Sequence, residues 1–218
     1  MPAHMQILYL IRHAETAFNR DGRVQGHSES NLSKLGIEQA TRIGRRLDHV
    51  KFVAAYASPS KRTVHTARLA LGGVEVQNRE GLREIRLGSW EGMKADELRK
   101  RYPRDVERWF HSPSTVRIPG AETVGQFRRR VVREMNRIRK ENDSGEIAIV
   151  THGGVICVYL TSVLGMKLDD LWSFKIRNAS VTRVLFPQGK ARIDLLGDIH
   201  HLAGAFREIP NRPFRLFP

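Results

Sequence analysis

The 218-residue sequence contains one cysteine, Cys157, so no disulfide can close within the chain and a reducing, cytoplasmic setting is expected. Cys157 falls among Val, Ile and Leu residues, which reads as a buried, inert thiol. No apolar run approaches the roughly 18 residues of a membrane span. The amino terminus lacks a charged region leading into an apolar stretch and a small-residue cleavage site, so no secretory signal is read there, and Met1–His4 look like a loose leader. Internal repeats and dividing linkers are also missing, which leaves one domain over residues 1–218 as the expectation. His200-His201 is the only pair of adjacent histidines, but no third ligand stands at metal-binding spacing. The pair reads as packing, and neither a metal nor a cofactor is expected.

Acidic residues are in the minority. Thirty-seven Lys and Arg against 23 Asp and Glu give a formal net charge of +14. That balance suits nucleic acid, an acidic membrane surface or small anionic substrates. The densest stretches, Arg128-Arg129-Arg130 and Arg99 to Arg108, lie in amphipathic patterns and read as solvated helix faces, with the arginines between Phe127 and Lys140 outward. They come without an RNA-recognition signature, zinc-finger spacing or an aromatic-interleaved basic strand. Nucleic acid and membrane are therefore not expected as partners; a small phosphorylated metabolite is. A homodimer, the commonest homo-oligomer, is compatible with the sequence.

Short apolar runs alternate with helical patterns, which predicts an α/β fold: a mostly parallel sheet with helices on both faces. Strands are expected at Ile7–Ile11, Phe52–Ala57, Val74–Val76 and Glu146–Val150, with a closing hairpin of Val181–Phe186 and Ala191–Leu195. Helices are expected from Ser33, a good N-cap, to Leu47, from Ser58-Pro59 to about Leu71, over Glu122–Glu141 and Gly154–Leu164, and briefly at Leu168–Phe174. Residues 82–120, broken by Gly88, Gly92, Pro103, Pro113 and Pro119, read as an insertion or lid, in which Trp90 and Trp109 either pack or close over substrate.

Two histidines stand at strand ends, in Leu10-Ile11-Arg12-His13-Ala14-Glu15-Thr16 and Thr151-His152-Gly153-Gly154. Open α/β sheets gather ligands at such carboxyl ends. Arg12 puts a cation beside the first imidazole, and Arg62 of Ser58-Pro59-Ser60-Lys61-Arg62 falls in the first turn after another strand. Guanidinium forks and a helix N-terminus suit a phosphoryl group. His13 is placed to attack phosphorus and His152 to stabilise the charged oxygens. A leaving oxygen also needs a proton, for which Glu15, Glu84 and Glu91 are all candidates; spacing does not choose among them.

These motifs resemble the histidine phosphatase superfamily, in the branch of cofactor-dependent phosphoglycerate mutases and broad-specificity phosphatases. The first cluster continues into Asn19 and Val24-Gln25-Gly26. Further blocks follow in the family's order: Leu32-Ser33-Lys34-Leu35-Gly36, Ser58 to Arg62, Leu82-Arg83-Glu84 with Trp90-Glu91-Gly92, Val150 to Gly154, and more weakly Pro119 to Thr123 and Arg177 to Ser180. The match runs from Ile7 to about Leu202. It implies a three-layer α/β/α sandwich around a mixed, mostly parallel sheet, as in phosphoglycerate mutase. It implies His13 as the phosphorylated nucleophile, Glu84 as the acid, and Arg12, Arg62 and His152 as the phosphate pocket. Thr16, Asn19, Gln25, Gly26 and the Gly153 backbone would line the substrate site.

The implied activity is metal-independent hydrolysis of small phosphate esters through phosphohistidine, with sugar phosphates, phosphoglycerates, α-ribazole phosphate and nucleotides all suited to such a pocket. The alternative within the class is a cofactor-dependent phosphoglycerate mutase; the segment Glu84 to Gly92 looks more like the phosphatase type. From another class, a basic nucleic-acid-binding or non-catalytic regulatory protein on this fold is the alternative, against which every catalytic position is filled. One departure is Ala14, where the family usually has glycine. A methyl group there would strain a left-handed backbone.

Overall fold

The computed structural model describes residues 5–203, so Met1–His4 lie outside the described residues. Six strands form one sheet: β1 (Gln6–Arg12), β2 (Phe52–Ala57), β3 (Val76–Asn78), β4 (Gly145–Thr151), β5 (Val181–Phe186) and β6 (Arg192–Asp198), in the order β3-β2-β4-β1-β5-β6. Neighbours from β3 to β1 are parallel, whereas β5 runs antiparallel to β1 and β6 to β5. The sheet is thus mixed and mostly parallel, as the alternating pattern implies. The expected third strand is displaced: Val74 follows a turn, and pairing with β2 begins at Val76. The closing hairpin turns through Pro187–Gly189, with Gln188 at φ 51°.

Side chains alternate across the sheet. Leu8, Leu10, Ile147 and Ile149 face one core, while Tyr9, Ile11, Ala148 and Val150 face the other. The second face is covered by α2 (Lys34–Leu47) and α3 (Lys61–Ala70). Ser33 caps α2 by accepting from the Gly36 amide, and Ala40, Ile43 and Leu47 turn its apolar stripe inward. The first face is covered by α6 (Val124–Glu141) and α7 (Gly153–Val163). Thr123 and Gln126 form a reciprocal capping box, so α6 starts at Val124 rather than Glu122 and buries Val124, Phe127, Val131, Met135 and Ile138. His152 is the N-cap residue of α7, which starts at Gly153 and is buried all round as far as Thr161. The stretch Leu168–Trp172 is a 3₁₀ turn.

A four-residue helix, α1 (Ala17–Arg20), follows β1. The 82–120 segment carries α4 (Ala95–Arg101) and α5 (Pro103–His111) and sends Leu98, Val106, Trp109 and Val116 into the first core. Trp90 and Trp109, both 2% exposed, meet edge to face with centroids 5.9 Å apart. They pack; they do not stand open over a substrate. Among the described residues no helix is long and apolar enough to cross a membrane.

Candidate active site

The parallel strands β1, β2 and β4 end side by side, and each delivers part of one site. Beyond β1, the His13 amide donates to the Thr151 carbonyl at 2.8 Å, which ties the first histidine to the end of β4. His152 follows one residue later, and the two imidazole centroids are 5.3 Å apart. Beyond β2, the Ser58 hydroxyl lies 2.8 Å from His152 Nε2, and the chain turns into α3 with Arg62 in its first turn. Thr66 of α3 accepts from the Ala14 amide at 3.1 Å, which fixes the loop after His13.

His13 is 3% exposed. Burial, and then the charges of Arg62 and Arg12, hold its pKa well below the ordinary value, so the ring is neutral near pH 7. Its Nδ1 lies 2.8 Å from the Ala14 carbonyl. A carbonyl only accepts, so the proton sits on Nδ1 and the Nε2 lone pair is left unprotonated. His152 is likewise held neutral by burial, Arg62, His13 and Arg12. Among the described residues its buried Nδ1 has no hydrogen-bond partner.

The two arginines are anchored by backbone. Arg62 donates from Nη2 to the Gly26 carbonyl at 2.8 Å and from Nη1 to the Ser28 carbonyl at 3.0 Å, while its buried Nε has no partner among the described residues. Arg12 Nη1 donates to the Ile176 carbonyl. A Cβ at position 153 would stand 3.2 Å from the Arg12 guanidinium carbon, so Gly153 lets the helix start lie against the cation.

Glu84 is 8% exposed, and its carboxylate accepts from the Ile85 amide at 2.9 Å and the Gly154 amide at 3.1 Å. Burial pushes its pKa up, against those two bonds and the arginines, which favours a proton-holding carboxyl. The rival carboxylates are spent elsewhere. Glu15 accepts from the Ser33 hydroxyl at 2.8 Å, beside the start of α2. Glu91 accepts from the His27 amide, the Leu87 amide and the Ser28 hydroxyl, and so braces the loop that presents Gly26 and Ser28 to Arg62.

Gly26 has φ +54°, and a Cβ there would fall 2.3 Å from Glu91 Oε1. Gln25 is buried beside it, and its Oε1 has no partner among the described residues. Thr16 is fully buried as the N-cap of α1, and its hydroxyl donates to Asn19 Oδ1 at 3.0 Å; its part is to hold Asn19. Asn19 Oδ1 also accepts from the Thr16 amide and from Asn178 Nδ2. Ala14 does not adopt positive φ, so its methyl group is accommodated without the feared strain. The left-handed residue is Ala179, at φ 58°, whose amide donates to the His13 carbonyl at 3.2 Å.

Ser58, His27, Asn178 and Arg130 are partners that sequence reading passed over. Ser58 and Asn178 stood inside recognised motifs, so their positions were signalled although their contacts were not. Arg130 departs from the outward-facing expectation and turns in toward the Glu84 loop. Cys157 is buried as expected, 1% exposed, and burial pushes its thiol up to about 12. His201 packs against Arg46, and burial with that cation pushes it down to about 4.

A neutral histidine facing a second histidine, two buried arginines and a buried carboxyl thus come together at the carboxyl edge of a mixed sheet. The chain belongs to the histidine phosphatase superfamily (branch 1), whose family model matches residues 8–199. It is 32% identical over 206 residues to phosphoserine phosphatase 1 of Hydrogenobacter thermophilus, covering 92% of this chain and 96% of that one. It is 33% identical over 202 residues to a metal-independent phosphoserine phosphatase of Arabidopsis thaliana, covering 90% of this chain and 83% of that one. The solved structure of Bacillus stearothermophilus YhfR superposes with a TM-score of 0.86 at 32% identity, over 90% of this chain and 99% of that one.

Proposed function

We propose that this protein is a metal-independent phosphomonoesterase that hydrolyses small phosphate esters through a phosphohistidine at His13. The observation that carries this reading is the tautomer of His13. A neutral ring with its Nδ1 proton committed to Ala14 presents Nε2 as a nucleophile among cations that attract phosphate. Nε2 attacks phosphorus; the P–O bond to the alcohol breaks, and Glu84 gives its proton to the leaving oxygen. Glu84, now a carboxylate, takes a proton from water, which attacks phosphohistidine and releases phosphate. Arg12, Arg62 and His152 offset the charge on the equatorial oxygens, the part a divalent ion plays in other phosphoryl transfers. Asn19 offers its amide hydrogens, since its oxygen already accepts three bonds.

Residues 82–120, which bring Glu84 to the site, form an insertion within a single domain. The substrate is a small phosphorylated metabolite, and phosphoserine leads the panel because two relatives carry that activity in their names. Release of phosphate from p-nitrophenyl phosphate and a panel of metabolite esters, in EDTA, tests the reading. Turnover that resists EDTA and disappears in His13→Ala is expected. No release from any ester, with mutase activity on 3-phosphoglycerate instead, would overturn hydrolysis as the main reaction.

A further inference from the structure

The loop that carries Glu84 is gripped from α6, fifty residues later in sequence. Arg130 Nη1 donates to the carbonyls of Gly81 at 3.0 Å and Arg83 at 2.9 Å, and its Nη2 donates to the carbonyl of Glu84 itself at 3.2 Å. The guanidinium is held by Glu122, with Nη2 to Oε1 at 2.5 Å and Nε to Oε2 at 3.3 Å. Glu122 closes the circuit by accepting from the Arg86 amide at 3.0 Å, while its own amide donates to the Arg86 carbonyl at 3.1 Å. One ion pair therefore takes three carbonyls and one amide between residues 81 and 86. A second group reaches the same place from the loop that anchors Arg62: His27 Nε2 lies 2.9 Å from the Glu84 carbonyl.

We infer that Arg130, held by Glu122, is a positioning residue that sets where the Glu84 carboxyl meets the leaving oxygen. The inference rests on Glu84 being the acid. Residues 81–86 contain no α-helix or strand to fix them, and the short 3₁₀ turn at Glu80–Leu82 ends before Glu84. Only a rigid, multi-donor group can hold three carbonyls and the Glu122 carboxylate at once; a lysine ammonium lacks that fork. Among the described residues, Arg130 bonds to Glu122 and to the carbonyls of Gly81, Arg83 and Glu84, not to His13, Arg12 or Arg62. Its removal should leave phosphate binding intact and misplace the proton donor.

The leaving group separates this role from a merely structural one. An alkyl ester needs a proton on its departing oxygen; p-nitrophenolate departs without one. kcat/KM for both esters reports the step in which the alcohol leaves, and competitive inhibition by inorganic phosphate reports the pocket. Glu84→Gln is the reference variant, expected to lose roughly 100-fold or more with an alkyl ester such as phosphoserine and far less with p-nitrophenyl phosphate. Arg130→Gln should reproduce that selectivity at roughly 10-fold or more, with the phosphate inhibition constant within about twofold of wild type. Glu122→Gln should show the same selectivity more weakly, and it carries the test if Arg130→Gln fails to fold. Equal loss on both esters in the folded variants, or no loss, would overturn the inference while Glu84→Gln stays selective. If Glu84→Gln itself shows no selectivity, the assignment of the acid fails, and the positioning role falls with it.

Discussion

Burial moves His13 and His152 in the opposite sense to Glu84, and the consequences can be worked out residue by residue. Both histidines have lowered pKa values in the fold, so as pH drops through about 6.5 the unfolded chain binds protons that the native state refuses. Stability from these two groups is present above that pH and lost below it. Glu84 has a raised pKa, so its contribution is present below the ordinary carboxylate value and lost as pH rises through its native value. As pH falls below about 6.5, while the native histidines still refuse protons, the two histidines oppose the one carboxyl two to one, and Tm should fall on acidification. Glu84→Gln removes the opposing contribution and should steepen that fall; a flat Tm profile in both proteins would contradict the electrostatics drawn here. With Glu84 as the proposed acid, the same raised pKa would set the alkaline side of catalysis. kcat/KM should decline as Glu84 loses its proton, at a pH above that of an ordinary glutamate, and this limb should vanish in Glu84→Gln.

At the scale of elements, glycines mark where one segment must lie against another. A Cβ at Gly36 in the first turn of α2 would fall 2.0 Å from the Glu15 carbonyl oxygen, which is main chain. Gly36→Ala must push apart the β1–α1 connection and α2, and should destabilise by about 1–3 kcal/mol, read by denaturant unfolding. A Cβ at Gly154 would fall 2.4 Å from Glu84 Oε1, which is a side chain able to swing. Gly154→Ala should therefore cost activity on alkyl esters with much less change in stability. Equal effects of the two substitutions on stability would show that the carboxylate is not free to yield.

The caps and apolar stripes of α2 and α6 were legible because Ser33 and Thr123 announce helix starts and the buried residues recur every three or four positions. β3 was not legible to the residue. It has three residues and a single neighbour, so tertiary pairing rather than its own pattern decides where it begins. Nor was Arg130: periodicity places it at the margin of the apolar face, but its partners are carbonyls far earlier in the chain. Spacing left Glu15, Glu84 and Glu91 open and the family resemblance pointed to Glu84; the geometry adds that Glu15 bonds Ser33 and Glu91 bonds the 26–28 loop, contacts that no motif announces.

Across the whole molecule, two cores on opposite faces of one sheet hold three strand ends in register, and catalytic geometry depends on that scaffold. Phe127 is fully buried where α6 packs on the first face, with Arg130 one turn further along the same helix. Phe127→Ala should destabilise by about 3–5 kcal/mol. The large positive charge is spread over exposed arginines and lysines, including Arg129 and Arg133 of α6, rather than concentrated in the buried pocket. The most direct test of the account is rapid quenching of the enzyme with a ³²P-labelled phosphate ester in EDTA, followed by mapping of the labelled peptide. The account predicts an acid-labile, base-stable phosphoryl group on His13 that forms before phosphate is released and is absent from His13→Ala. Continued turnover with no such label, or a label that persists in His13→Ala, would contradict it.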